Sequence, residues 1–374
     1  MPSINTSDYD SFKKLINNFP DVDSPSFFGL PDNIERSVQR FTSSQVIKQL
    51  RSLSALEAGS SSKYDREKWK LLLMPIIDQW QSMIASTPGL LARKKTTGKS
   101  SNVVPINSAS NVSPVDDVVQ MEYTLAGEIC TSIDIALSTL KKVLLGSGLI
   151  TPTIQSIATS LLADTVPSEW SHQWDSGPEK PQVWLREIVR KRVGLSKWVQ
   201  IIAGAKDNTS DSSLLAAAEP ICLGHLFHPG IFINALRQQT ARQLSLAIDK
   251  LKMVSSWEKD AIKRLKDAYN CPLSCTLNGL LLQGASFSGT NGVFLQDASS
   301  EGSELIPVQQ VTIAFIEDTH KNNKISAHNN VLIPVYISPT RDDYIMEIEM
   351  PSPSDVNNDK WILAGVAMFL AENE

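Results

Sequence analysis

The chain has 374 residues, of which 42% are hydrophobic and 20% are charged, and its formal net charge is −5. This length exceeds one typical domain, so we expect two packed units or one domain with extensions. The acidic balance argues against binding of nucleic acid or of an anionic membrane through bulk charge, and no apolar run is as long as a membrane span. The cysteines are too few for a disulfide scaffold, which favours a reducing cytosolic compartment; they are Cys130, Cys222, Cys271 and Cys275.

The first half of the chain shows helical spacing of its apolar residues. A short amphipathic helix ends before Pro20, apolar residues then recur at helical spacing between Ile34 and Leu53, and another helix is predicted over residues 65–85. Pro75 lies inside that helix and predicts a kink or a break. Residues 93–114 are rich in Ser, Asn, Lys and Thr, which predicts a mobile surface loop.

The longest helix is predicted over residues 116–145, with Gly146 as its C-cap. Further helices are predicted over residues 153–163 and 182–203. Another begins at Pro229, with His228 as its cap, because proline costs nothing in a first helical turn. Several helices with short connections predict a bundle. On the helix after Pro229, one buried stripe is predicted to hold Ile233, Leu236, Thr240, Leu244 and Ala247.

Beyond Leu251 the apolar period falls to two, as in strands. The clearest strands are residues 344–350 and 331–337, and Pro334 indicates an edge or a bulge in the second. Because closure removes exposed edges, these short strands predict a small antiparallel β-barrel or sandwich. The fold class is therefore α+β, a helical bundle followed by a small antiparallel β-barrel, with the boundary near residues 244–253. Further predicted strands are 276–284, 293–296, 308–316 and 360–370, and a charged helical insertion is predicted over 258–269.

One short stretch has the end of a phosphate-binding loop, Gly98-Lys99-Ser100. A complete loop also needs a glycine five residues earlier, a preceding strand and a following helix. Position 93 is Arg93, and the segment before it is predicted to be helical. We therefore predict no nucleotide site in this chain.

Cys222, His225 and His228 are metal-capable residues at intervals of three. A zinc site needs four ligands, or three and a water, and a fourth would have to come from Cys271 or Cys275. The apolar neighbours and Pro229 favour buried packing and a helix cap instead. Cys271 and Cys275 are themselves interpreted as packed thiols rather than a redox pair.

No arrangement of Ser, His and Asp or of Cys and His has a catalytic signature. His320 and His328 lie in a polar stretch where we expect them to be solvated. The tryptophans at 170, 184 and 198 are interpreted as core anchors. No catalytic, cofactor-binding or metal-binding residue is therefore predicted. A basic stretch could contact an acidic partner, but we favour a solvated helix face for it; it consists of Arg186, Arg190, Lys191 and Arg192.

Ordered sequence motifs resemble those of the C-terminal region of dynein heavy chains. The most specific is residues 227–242 (FHPGIFINALRQQTAR), which resembles the family's F-F-x-P-x-x-F-L-x-A-x-x-Q-x-x-A-R signature. The other stretches that resemble the family follow its order along the chain. They are 28–34 (FGLPDNI), 166–170 (VPSEW) followed by Trp184 and Trp198, 280–285 (LLLQGA), 334–336 (PVY) with Arg341, and 361–370 (WILAGVAMFL).

The resemblance implies a domain organisation and a function. Residues 1–27 would be the tail of the lid of the last AAA+ module, 28–250 the helical bundle and 251–374 the β-barrel. The region would be non-catalytic, would pack on the AAA+ ring of its own heavy chain and would modulate the force and processivity of a minus-end-directed microtubule motor. ATP and magnesium would be bound by the AAA+ modules of the parent polypeptide, and other partners would be dynein complex subunits, with microtubules reached only through the rest of the motor.

Within the family, the stretches that look closest to the cytoplasmic dynein-2, or intraflagellar transport, class are residues 28–37, 46–51, 332–336 with Arg341, and the ending from Trp361. That class implies retrograde transport in cilia, and a location in the cytoplasm, the cytoskeleton and the cilium. General cytoplasmic dynein is the second interpretation and axonemal dynein the third. A stand-alone protein-binding module or enzyme is the alternative outside the family.

Overall fold

The computed structural model describes residues 9–17, 32–61, 66–91, 113–174, 177–204, 213–216, 219–257, 263, 273–288, 292–295, 305–308, 310–318, 329–352 and 358–370. Several predictions lie outside these ranges: most of the 93–114 loop, Gly98-Lys99-Ser100, Cys271, His320, His328, most of the 258–269 insertion and residues 28–31 of the first family motif. The described helices are α1 (Tyr9–Asn17), α2 (Asp32–Ser61), α3 (Arg66–Ser86), α4 (Pro114–Leu145), α5 (Pro152–Leu162), α6 (Ser168–Ser171), α7 (Pro181–Gly204), α8 (Ser213–Ala216), α9 (Pro229–Leu244) and α10 (Asn358–Leu363).

Helix α4 lies at the centre of the helical part and packs against α3, α5, α7 and α9. Its start is fixed by Ser113, whose side chain accepts a hydrogen bond from the Asp116 amide, and by Pro114 in the first turn. Its end is the predicted C-cap Gly146, whose φ of 83° is the left-handed conformation that favours glycine. The helices predicted after it, and the α9 start at His228 and Pro229, are confirmed to within a residue or two.

Pro75 does not end its helix, because α3 runs from Arg66 through Pro75 to Ser86. The buried stripe predicted on α9 is confirmed for Ile233, Leu236 and Thr240, which are at most 8% exposed. Ala247 is exposed and lies beyond the end of that helix, so its place on the stripe was predicted wrongly.

The strands form separate sheets. The described strands are β1 (Ile221–Cys222), β2 (Leu251–Ser256), β3 (Ser274–Asn278), β4 (Leu280–Gln283), β5 (Ala285–Ser288), β6 (Gly292–Leu295), β7 (Ile306–Pro307), β8 (Val311–Glu317), β9 (Asn329–Tyr336), β10 (Tyr344–Ser352) and β11 (Ala367–Leu370). One sheet has the strand order β1-β3-β8-β2, a second has the order β10-β9-β11-β4-β7, and a third pairs β5 with β6.

The prediction of a small antiparallel β-barrel is wrong, although the α+β class is confirmed. Among the described residues the sheets are open and mixed, since β1 pairs with β3 in parallel and β11 pairs with β9 in parallel. Strands β2 and β10 lie side by side at the sheet edges but are joined by side chains: the Ser255 hydroxyl and the Trp257 indole N–H both donate to the Glu349 carbonyl, at 2.6 and 3.1 Å. Side chains therefore join these two edges, where a closed barrel would have a backbone ladder.

The strand predicted over residues 360–370 is confirmed only in its second part, where β11 lies. Its first part belongs to α10, so the strand prediction is wrong there. The turn between them packs on the glycine of the 280–285 motif. Gly284 has a φ of +80°, and a Cβ placed there would lie 3.0 Å from the Ala364 carbonyl oxygen. This motif and the closing one therefore meet where only a glycine fits.

One apolar cluster runs through the described helices and on into the sheets, from Leu73 in α3 to Leu370 in β11. No described helix is both long enough and apolar enough to cross a membrane. The division of the chain near residues 244–253 stays a prediction.

Candidate functional site

Helix α2 exposes an unusual amount of apolar surface. Because successive residues of a helix are rotated by about 100°, its exposed apolar side chains are spread around much of the helix circumference. The described contacts of α2 are chiefly with α5. Contiguous exposed apolar surface marks interaction sites in soluble proteins. The exposed fractions are 43% for Val38, 40% for Phe41, 48% for Val46, 47% for Ile47 and 60% for Leu50.

Beside α2 lies a cleft of about 1290 Å³ between the helical part and the sheets. One wall is a stripe of α2 at a spacing of four residues, Phe41, Gln45 and Gln49. The opposite wall comes from the loop that joins β9 to β10 and from the first two residues of β10, Tyr344 and Ile345. The floor comes from the segment between α5 and α7 and from the start of α9.

Aromatic side chains form the floor of the cleft. Trp184 stacks on Trp170 with ring centroids 5.8 Å apart and lies 5.4 Å from Trp174, which meets Phe227 edge-on at 5.6 Å. Trp170 and Trp184 are both 1% exposed, so they are core anchors as the sequence predicted. Trp198 is 5% exposed and packs on His225.

The β9–β10 loop is held by Arg341, the arginine of the family motif that begins at residues 334–336. Its guanidinium donates to the Gln283 side chain at 3.0 Å and to the Gly365 carbonyl at 2.7 Å, and it lies over the ring of Phe369. The backbone of Arg341 itself has a φ of 63°. This anchor fixes the loop residues that follow, Asp342 and Asp343, which are exposed to the cleft.

Tyr344 stands on the exposed side of β10, where strict alternation would bury it. The β9–β10 register shifts between Tyr344 and Met346, so that Met346 is buried and Tyr344 is 56% exposed. Burial raises the pKa of the Tyr344 phenol, and the carboxylate of Glu347 adds to that effect. The irregularity directs an aromatic ring toward the cleft.

The start of α9 is tied to α4 through a buried carboxylate. Glu122 is 4% exposed and accepts hydrogen bonds from the backbone N–H groups of Phe227, at 2.6 Å, and His228, at 3.2 Å. Its Oε1 also lies 2.9 Å from His228 Nδ1. Because the partners are more than a hundred residues apart in sequence, this contact has no local sequence signal.

The basic stretch of α7 is not the solvated helix face that was predicted. Lys191 and Arg192 are buried, at 7% and 5% exposure, and only Arg186 is exposed, while Arg190 is half-buried and pairs with Glu187 at 2.6 Å. The prediction was wrong because backbone carbonyl groups from other segments, which spacing cannot show, accept the hydrogen bonds of the buried cations.

Lys191 donates to the carbonyl groups of Gly224 and Leu226, each at 2.7 Å, and its ammonium lies over the rings of Trp174 and Phe227. Burial lowers the pKa of Lys191 to about 8, and the charge of neighbouring Arg190 acts in the same direction.

Arg192 fastens α7 to two other parts of the helical region. It donates to the carbonyl groups of Gly89, Leu90 and Tyr123, and its guanidinium stacks 3.4 Å from the centroid of the Tyr123 ring. Burial lowers the pKa of Arg192.

Cys222, His225 and His228 do not converge. Cys222 is buried in β1, His225 packs between Trp198 and Gly194, and His228 is directed to Glu122. Burial lowers the pKa of His225 to about 4, and nearby Arg190 adds to that shift. Within the described residues no group of three His, Cys, Asp or Glu side chains could hold a metal ion. His228 occupies the N-cap position of α9 without a side-chain cap hydrogen bond.

The other described cysteines are packed thiols. Cys130 and Cys275 are at most 2% exposed, and burial raises the pKa of each to about 12. Thiols with raised pKa values are poor nucleophiles at neutral pH. Neither cysteine lines the cleft, which offers ring faces, carboxylates and amides to a ligand. Of the two tryptophans that line the cleft, the sequence pointed to Trp184 as a core anchor but not to Trp174, and it predicted no binding site there.

Comparison with known proteins agrees with this arrangement of motifs. The profile of the C-terminal domain of dynein heavy chains matches residues 40–370, and the protein belongs to that family.

Three relatives give the range of similarity. The cytoplasmic dynein 2 heavy chain 1 of Homo sapiens is 35% identical over 360 residues, and that of Chlamydomonas reinhardtii is 31% identical over 367 residues. A cytoplasmic dynein heavy chain of Dictyostelium discoideum is 21% identical over 379 residues. Each alignment covers 96% of this protein, which spans only 7–8% of the length of these relatives.

Proposed function

We propose that this chain is a non-catalytic region of a dynein-2 type heavy chain that packs on the AAA+ ring of the same polypeptide and modulates its force and processivity. The family match supports the heavy-chain assignment. The human and Chlamydomonas dynein 2 relatives are 35% and 31% identical, against 21% for the Dictyostelium cytoplasmic dynein, which favours the dynein-2 class over general cytoplasmic dynein.

The observation that carries the proposal is the exposed apolar surface of α2. Five apolar side chains of that helix, among them Val46 and Leu50, are at least 40% exposed. A second surface that covers them would bury apolar area, which is favourable by about 25 cal/mol per Å². Helix α2 lies on the N-terminal side of the domain, which would adjoin the last AAA+ module.

A region without a nucleotide site can alter an ATP-driven motor only by contacting one ring conformation better than another. We propose that α2 makes these contacts and that the sheets are the outer, more adjustable part. ATP and magnesium would be bound by the AAA+ modules. Microtubules would be reached only through the rest of the motor, and neither nucleic acid nor a membrane would be a partner.

The division proposed for the chain is a lid tail at residues 1–27, a helical unit at 28–250 and a sheet unit at 251–374. The setting would be retrograde intraflagellar transport, with the motor and its complex subunits in the cytoplasm, on the cytoskeleton and in the cilium.

A surface variant of α2 in the complete heavy chain tests the proposal. Val46→Glu with Leu50→Glu should leave the melting temperature of the isolated 374-residue chain unchanged, because both side chains are already exposed. In the motor the same variant should keep basal ATP hydrolysis and change stall force, run length or microtubule stimulation. Leu149→Glu, at a position 88% exposed outside α2, is the matched control.

Removal of residues from about Leu251 onward is the coarser test of the sheet unit. The truncated motor should likewise keep basal ATP hydrolysis and should differ from wild type in stall force, run length or microtubule stimulation. A folded truncated motor without hydrolysis would make the region part of the catalytic machinery. Motile properties identical to wild type in both the α2 variant and the truncation would exclude a modulatory role.

A further inference from the structure

The carboxylates that line the cleft beside α2 face no lysine or arginine there, and His172 and His228 are the residues of the described lining that can carry a positive charge. Its lining includes the carboxylates of Glu179, Asp342 and Asp343, and no lysine or arginine is among the described residues that form it. None of the three carboxylates forms an ion pair within the part of the chain that the structure describes. A cleft lined by one sign of charge concentrates ligands of the opposite sign.

Ring faces add a second attraction for cations. Tyr344 is 56% and Phe41 is 40% exposed, and both line the cleft with Trp174 and Phe227. Trp174 and Phe227 already have the ammonium of Lys191 within 5.0 and 5.3 Å of their ring centroids. The carboxylates of Glu122 and Glu187 lie near that ammonium and compensate its charge. These two rings of the floor therefore already make cation–π contacts inside the protein.

A buried N–H group without an acceptor lies at the same place. The Trp184 side chain is 1% exposed and its Nε1 has no hydrogen-bond partner among the described residues, although Trp184 lines the cleft. The Nε1 lies below Gly177, another lining residue: a Cβ at Gly177 would approach it to 2.5 Å. Buried indole N–H groups are normally paired, so this donor is unsatisfied within the described residues, under the backbone of Gly177.

The size of the cleft favours a polypeptide over a small molecule. Its volume of about 1290 Å³ exceeds the roughly 300–1,000 Å³ of small-molecule sites. Gln45 on α2 provides an exposed amide for hydrogen bonds to a peptide backbone, and the carboxylates and rings select basic side chains.

We propose that this cleft binds an extended polypeptide segment of a partner protein through arginine or lysine side chains, which lie against Tyr344 and pair with Asp342 and Asp343. Arginine would bind more tightly than lysine, because its planar guanidinium both stacks on rings and pairs with carboxylates. The cleft shares Phe41 with the exposed apolar surface of α2, whereas Tyr344, Asp342 and Asp343 lie outside that helix. Binding is therefore tested on the isolated 374-residue protein, where the proposed contact with the AAA+ ring is absent.

Fluorescence anisotropy with the 374-residue protein tests this. The probes are dye-labelled peptides of alternating arginine and alanine, lysine and alanine, or glutamate and alanine. The arginine peptide should bind most tightly and the glutamate peptide should not bind. Added salt should weaken the binding of both basic peptides. Asp342→Asn with Asp343→Asn should weaken arginine-peptide binding by about two- to thirtyfold, as expected for the loss of two exposed charge pairs.

The control variant is Asp249→Asn with Asp318→Asn, which removes the same charge from exposed positions outside the cleft and should change binding less than twofold beyond the salt effect. Tyr344→Leu should reduce the preference for arginine over lysine. The proposal is overturned if both double variants weaken binding equally, if the glutamate peptide binds as well as the arginine peptide, or if neither basic peptide binds. It is also overturned if sedimentation shows that a second copy of the protein fills the cleft.

Discussion

Glu122 and His228 join α4 to the start of α9: the buried carboxylate of Glu122 accepts from the His228 backbone N–H at 3.2 Å and lies 2.9 Å from its Nδ1. The same carboxylate accepts from the Phe227 amide at 2.6 Å. The first turn of α9, and with it one end of the cleft floor, is therefore placed by a single side chain of α4.

Glu122→Gln should lower the free energy of unfolding by about 2–4 kcal/mol, because the amide offers a donor where N–H groups need an acceptor and the charge-assisted bonds are lost. Urea unfolding measures the change. Glu128→Gln, an exposed position on the same helix, is the control and should change stability by less than about 0.5 kcal/mol. Equal stability of Glu122→Gln and wild type would mean that the carboxylate does not hold α9.

Lys191 should make stability rise with pH in the alkaline range. Its pKa is about 8 in the folded protein against 10.5 unperturbed, first because of burial and then because of Arg190. Below pH 8 both states hold the proton, so the penalty of burying the charge is fully present. Between about pH 8 and 10.5 the unfolded state binds more protons, so the free energy of unfolding increases with pH.

Lys191→Met should remove that rise, and it should destabilise at neutral pH by about 1–3 kcal/mol because the Gly224 and Leu226 carbonyl groups lose their donor. Urea unfolding between pH 7 and 10 measures both effects. Lys197→Met, exposed on the same helix, should keep the wild-type pH dependence. An unchanged slope in Lys191→Met would assign the alkaline rise to other groups.

Trp170→Ala and Trp184→Ala should each destabilise by about 3–5 kcal/mol, since both side chains are 1% exposed and stack on each other. Thermal or urea unfolding measures this. The two losses should also be non-additive, because each variant removes the stacking partner of the other ring. A variant that unfolds like wild type would make its tryptophan a surface contact.

The sequence predicted features that depend on local chemistry. Gly146 ends α4 and Pro229 begins α9 because caps and prolines act within a single turn. The prediction of a β-barrel was wrong because the two-residue strand β1 and the parallel β9–β11 pairing depend on contacts between residues that are distant in sequence. Lys191 and Arg192 were predicted to be solvated for the same reason, since their carbonyl partners come from other segments.

The cleft could not be predicted from the sequence either, because it also depends on contacts between residues that are distant in sequence. Trp170 and Trp184 were recognised as anchors from their type alone, whereas Asp342 and Asp343 carry no motif of their own. Only the fold brings those carboxylates opposite Phe41 of α2, some 300 residues earlier in the sequence. Arg341 could have been a signal, because an arginine that belongs to a family motif in a loop indicates an anchored turn.

Two glycine substitutions distinguish helix propensity from packing. Alanine is the better helix former by about 1 kcal/mol, so propensity alone predicts that both Gly194→Ala in α7 and Gly230→Ala in α9 are stabilising. At Gly194, however, a Cβ would lie 2.4 Å from His225 Nδ1 and 2.5 Å from its Cγ, whereas at Gly230 nothing lies within 4 Å. Gly194→Ala should therefore destabilise by about 1–3 kcal/mol, and Gly230→Ala should be neutral or stabilising.

The reason for the difference is that the His225 ring has little room to move, since it lies 5.6 Å from Trp198 between α7 and the turn that precedes α9. Urea unfolding of both variants measures the contrast. Gly194→Ala combined with His225→Ala should recover part of the lost stability, because the smaller side chain leaves space for the new methyl group. If Gly194→Ala alone is as stable as Gly230→Ala, His225 does not pack against α7 as described.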